Sequence, residues 1–201
     1  MKTEIISVYS TGDGREMALD ITERTGAYCR IDKQSTLRLR LLSEELIELL
    51  RPFAGDIRGD FWLETTDNKI EIHLKTEIPM DRKTKDELLS VSSSGKNSAS
   101  KGLIGKIRDM ISALTLPEDP EMKILTDQAL GMMSFGCQMG THYGDAYTWS
   151  MNAYAASINK ESSGAEEEKD ELEKSIVGNL ADEVKVSITG SKVEVVIYKA
   201  F

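Results

Sequence analysis

Apolar residues recur along this chain with two periods, and each change of period marks an element. Leu39, Leu42, Leu46, Leu49 and Phe53 return every three or four residues, the spacing of one helical face. Asp32 or Ser35 supplies a start for that helix, Pro52 lies near its end, and Gly55 closes it. Ahead of it, Ile5, Ile6 and Val8 predict a short strand. The turn Ser10-Thr11-Gly12-Asp13-Gly14 follows, with Thr11 or Asp13 as a cap for a helix over residues 15–25, and Gly26 ends or bends that helix. Beyond the second helix the period drops to two. Residues 61–65 and 69–75 predict a hairpin, in which Ile70, Ile72 and Leu74 alternate with Glu71, His73 and Lys75. This pattern buries one face and leaves His73 on the wet one.

The alternation then stops. Residues 90–100 are rich in serine and predict a mobile loop. Leu103, Ile107, Met110, Ile111 and Leu114 restore the helical period over 102–114. Residues 122–157 have a helical pattern rich in Met, Gly and aromatic residues, broken near Gly140 and Gly144. Ser162-Ser163-Gly164 is a linker, and 166–180 an acidic helix. The chain closes in a hairpin that sets Val184, Val186 and Ile188 against Val193, Val195 and Ile197 across Thr189-Gly190-Ser191-Lys192. The order predicts an α+β, two-layer sandwich: one mixed β-sheet with helices on one face. Residues 1–115 and 175–201 form this body, and 116–174 a helical insertion.

Composition narrows the function classes. The chain has 201 residues, 40% of them hydrophobic, enough for a real core. A net charge of -9 argues against general nucleic-acid binding, which needs an excess of Lys and Arg. Cys29 and Cys137 match no metal spacing and make no disulfide framework. No stretch has the apolar length of a bilayer span, and the start shows no signal-peptide pattern. The expectation is a cytoplasmic protein with no membrane and no nucleic-acid partner.

The chemistry centres on Ser43-Glu44-Glu45-Leu46-Ile47-Glu48, which sets Glu44 and Glu48 one turn apart on one helical face. Mg²⁺ accepts carboxylate oxygen, so Glu48 is a candidate metal ligand. The same spacing suits surface ion pairs with Arg40 and Arg51. Elsewhere, His142 lies near Cys137 and Asp145, where a Cys-His nucleophile or a metal site is conceivable but no spacing fixes it. The Met-rich stretch reads as core or as an adaptable partner surface.

The order of elements, with Glu44 and Glu48 on the second helix and Lys101-Gly102-Leu103-Ile104-Gly105-Lys106 after a serine-rich lid, resembles the GHKL, or Bergerat, ATP-binding fold. The similarity is to anti-sigma-factor serine kinases and to histidine-kinase ATP-binding domains. It covers residues 1–115 and 175–201. The resemblance implies that Glu44 is the catalytic or water-orienting carboxylate. It also implies that Glu48 stands where the family has a magnesium-binding Asn. Lys96, Lys101, Gly102, Leu103 and Gly105 would cradle phosphate at a helix start. The family's Asp-x-Gly-x-Gly motif is absent: Thr76-Glu77-Ile78-Pro79-Met80-Asp81 stands there without glycine, leaving Glu77 or Asp81 as the adenine-side carboxylate. The resemblance implies an adenine-nucleotide-binding protein using ATP and Mg²⁺, a regulatory serine/threonine kinase of anti-sigma type. Its alternative is a pseudo-ATPase scaffold that binds a regulatory protein partner without nucleotide. A homodimer, as in a plain dimerisation module, is a further expectation.

Overall fold

The structure, a computed structural model, describes residues 1–51, 53, 56–78, 107, 111, 146–158 and 175–201. The elements are β1 (Ile6–Tyr9), α1 (Arg15–Tyr28), α2 (Lys33–Glu48), β2 (Arg58–Thr66), β3 (Lys69–Glu77), β4 (Ala146–Ser150), α3 (Met151–Ile158), α4 (Ile176–Leu180), β5 (Glu183–Thr189) and β6 (Lys192–Ala200). The strands form one six-stranded sheet in the order β1-β2-β3-β6-β5-β4. Helices and sheet share one hydrophobic core, so the α+β class holds.

The sheet is antiparallel at every pairing rather than mixed. The reason lies in the connections. One crossover helix returns a chain to run parallel to its first strand. Here two helices stand between β1 and β2, and they run antiparallel to each other. Arg15, at the start of α1, meets Glu44 near the end of α2, while Gly26 near the end of α1 lies against Thr36 near the start of α2. A second reversal therefore makes β2 antiparallel to β1.

Local chemistry sets the helix ends. The side chain of Asp32 accepts from the backbone N–H groups of Gln34 and Ser35, capping α2; the Ser35 hydroxyl first, then these N–H groups, hold its carboxyl below the usual range. Gly14, not Thr11 or Asp13, is the cap of α1, with φ of 79°. A Cβ there would lie 2.0 Å from the Ser7 carbonyl oxygen, so both conformation and space demand glycine. Gly26 does not end α1. The helix runs through it to Tyr28, and the missing side chain lets Thr36 approach: a Cβ would stand 2.9 Å from Thr36 Oγ1.

Both expected hairpins form, the first with Thr66 paired to Lys69 across a two-residue turn at Asp67-Asn68. Val184, Val186 and Ile188 pair with Ile197, Val195 and Val193. Phe61, Leu63, Ile70, Ile72 and Leu74 join Leu19, Leu39, Leu42 and Leu46 in the core. Ile107 and Ile111 are helical and buried, in accord with the helix expected over 102–114.

The stretch read as helical over 122–157 contains a strand. Residues 146–150 pair with β5, setting Trp149 opposite Val186, and α3 begins only at Met151. Tyr147, Thr148 and Trp149 are aromatic or β-branched, and they add to the exposed edge of β5. Trp149, Met151 and Tyr154 are buried in the common core, so this part of the expected insertion belongs to the body. Among the described residues, no helix is long and apolar enough to cross a membrane.

Candidate functional site

Glu44 and Glu48 do lie together, on the face of α2 turned toward the start of α1. The backbone turn at Gly14 delivers Arg15 onto them. Its guanidinium donates to Glu44 Oε1 and lies 3.8 Å from Glu48 Oε1. Glu48 also meets Arg51 at 3.1 Å. Arg40 turns away from this cluster and pairs with Glu23 of α1 at 2.6 Å. The first turn of a helix is a poor place for a cation, because the macrodipole is positive there. Arg15 is held by the two carboxylates against that bias. Its Nε is buried and has no hydrogen-bond partner among the described residues. Next to the pair, Glu45 is half-buried, and its carboxyl is pushed above the ordinary range by burial first, then by Glu48 and Glu44.

This donor set, as placed, is a poor fit for Mg²⁺. The ion needs free oxygen ligands, and a guanidinium already lies on both carboxylates. Among the described residues, no group of three or more His, Cys, Asp or Glu is placed to hold a metal.

Glu77 is not part of this cluster. Along β3 the core face is built from Ile70, Ile72, Leu74 and Thr76, so Glu77 belongs to the opposite, open face. It accepts a hydrogen bond from Ser191 and lines a groove of about 590 Å³ with Asp56, Arg58, Asp60, Lys75 and Lys192. The sheet therefore stands between Glu77 and the Glu44–Glu48 pair. The helix-side position at that end of β3 is Thr76, whose hydroxyl donates to the Arg58 carbonyl. Lys96, Lys101, Gly102, Leu103 and Gly105 lie outside the described residues, as do Asp81, Cys137, His142 and Asp145. Cys29 is a partly buried free thiol beside the core.

The open face holds a second cluster. His73 is only 8% exposed, not a plain surface residue. Its ring stacks on Trp62, with centroids 4.7 Å apart and planes 9° from parallel. Glu71 lies 3.4 Å from Nε2 and Glu194 3.5 Å from Nδ1, yet among the described residues neither ring nitrogen has a hydrogen-bond partner. Trp62 Nε1 donates to Glu64 at 2.8 Å, and Lys2 stands 3.0 Å from the same carboxylate. These two contacts, the indole's first, hold the Glu64 carboxyl below its ordinary range. A signal for this pair was present in the sequence. A two-residue turn at Asp67-Asn68 sets Thr66 opposite Lys69, and counting back sets Trp62 opposite His73. Arg15 left no such signal, because it meets Glu44 only through the helix pairing.

Compared with protein-family models, with curated proteins and with solved structures, the chain matches none.

Proposed function

We propose that this chain is a regulatory scaffold of Bergerat type that works by binding a protein partner without nucleotide. The observation that carries this reading is the Arg15 guanidinium lying on Glu44 and Glu48, the two carboxylates a nucleotide site needs free. The separation of Glu77 from that pair by the sheet supports it. Glu77 on the open face and Glu48 on the helix side cannot serve one ligand. Phosphate brought to two carboxylates without a metal is repelled at close range.

A second reading keeps the nucleotide, as an ATP- and Mg²⁺-dependent serine/threonine kinase of anti-sigma type. It is favoured by one feature: Glu44 and Glu48 share one helix face and remain about one-third exposed. Arg15 would then leave the carboxylates for a phosphate as the metal arrives.

Thermal unfolding with ATP or ADP, with and without Mg²⁺, decides between them. The scaffold reading expects no change in Tm at millimolar nucleotide. A ligand at a hundred times its Kd adds about 2.7 kcal/mol, or roughly 5–10 °C for a chain of this size. A rise of that order that is lost in Glu48→Ala would overturn the scaffold reading and restore the kinase.

A further inference from the structure

We propose that the centre of the sheet's open face, the Trp62–His73 stack with Glu71 and Glu194, docks a lysine- or arginine-bearing segment of a protein partner. The inference rests on the scaffold reading and names the surface it uses.

The described helices share the core on the other face of the sheet, so the open face is free of them. Across its middle run Trp62, His73 and Val196, paired in register on β2, β3 and β6. Their neighbours on the same face include four carboxylates, Asp60, Glu64, Glu71 and Glu194, and two strand lysines, Lys75 opposite Glu194 and Lys185 opposite Val196. Two of the four are already matched, Asp60 by Arg58 at 3.0 Å and Glu64 by Lys2. Glu71 and Glu194 are not. Among the described residues, each has only a ring nitrogen of His73 within ion-pair distance, and their side chains remain 34% and 37% exposed.

Glu64 and Glu71 also stand directly opposite each other in the ladder, an arrangement that costs stability through like-charge repulsion. The buried His73 nitrogens add the cost of unmade hydrogen bonds. Both costs fall when a cation reaches Glu71 or Glu194 and a polar group beside it reaches the imidazole.

The chain carries its own example of the contact. Lys2 Nζ sits 4.5 Å from the Trp62 ring centroid while touching Glu64, an ammonium over an aromatic face with a carboxylate beside it. Lys185 repeats the cation–ring half of that contact over Tyr198 at 5.2 Å. A partner's ammonium or guanidinium at Glu71 or Glu194 would extend the same row.

The test uses the full chain and a fluorescein-labelled peptide of alternating lysine and threonine, followed by anisotropy. The peptide should bind, and Glu71→Gln with Glu194→Gln should weaken it about tenfold, as two lost ion pairs on a half-exposed face allow. A charge-matched pair on α1, Asp20→Asn with Glu23→Gln, should leave the affinity within about twofold. In ¹⁵N NMR the indole N–H of Trp62, assigned with Trp62→Phe, should shift while that of Trp149 stays. Equal weakening by both charge pairs, or an unmoved Trp62 signal, would overturn the docking site. The nucleotide scan reports separately. A flat scan with an unresponsive Trp62 removes this inference and leaves the scaffold reading. A nucleotide-dependent rise in Tm removes the scaffold reading itself.

Discussion

Replacing Arg15 by Met removes the guanidinium and keeps most of the aliphatic stem, so it isolates the charge that bridges α1 to α2. The two contacts join groups whose side chains are only about one-third exposed: 33% for Arg15, 30% for Glu44 and 32% for Glu48. A hydrogen bond to a charged group in such a setting contributes about 1.5–3 kcal/mol. Loss of the cation also uncovers the repulsion of two glutamates one turn apart, about 0.2–0.5 kcal/mol. Removing a positive charge from the first turn of α1 returns about 0.3–1 kcal/mol. The balance is a loss of about 2 kcal/mol, which lowers Tm by roughly 4–8 °C in a chain of this length. Urea unfolding of the wild type, Arg15→Met, Glu44→Gln and the double variant measures it directly. The cycle should show a coupling of about 1 kcal/mol or more between the two sites. The coupling should shrink in about 1 M salt, because the cluster is partly open to solvent. A variant that unfolds with the wild type, or a cycle with no coupling, would refute the bridge. Arg15 would then not be what occupies the two carboxylates.

Two further substitutions probe the same corner of the molecule. Gly14→Ala should cost about 3 kcal/mol or more by urea unfolding, since a left-handed residue with a side chain costs about 1–2 kcal/mol before the 2.0 Å clash with Ser7 is relieved; a loss under about 1 kcal/mol would show that the turn relaxes freely. Glu45→Gln should stabilise the protein at neutral pH by about 0.5 kcal/mol, first by removing a half-buried charge and then by relieving repulsion with Glu48 and Glu44, all screened by solvent. The sign follows from the raised carboxyl: the folded state binds its proton more tightly than the unfolded chain, whose value is near 4.5. Wild-type stability therefore falls as pH rises from there through the raised value, and the variant lacks that fall. Parallel unfolding curves for the two proteins across this window would rule out Glu45 as the source.

The hairpins were legible because alternation over Ile70, Ile72 and Leu74, and over Val193, Val195 and Ile197, has one burial solution. The strand at 146–150 was not, because Tyr147, Thr148 and Trp149 sit in a Met- and aromatic-rich run whose helical and strand periods compete. The free edge of β5 settled the competition. His73 was placed correctly on the face away from the core, but its burial was missed. An outward position is buried when a flat neighbour such as Trp62 stacks on it and long side chains close around both. The Glu44–Glu48 pair was visible as spacing along one helix, while Arg15, 29 residues earlier, was invisible to any local pattern.

By itself, then, the sequence determined the local elements: a start for α2 at Asp32 or Ser35, the stripe of α2, and the two hairpins. Those features depend on residues within a few turns of one another. Which carboxylate stands on which side of the sheet, and which cation sits on Glu44 and Glu48, was decided only when α1 folded back along α2 and β6 closed on β3. Side-chain parity fixes a face within a strand, but only the packing of layers gives that face its neighbours.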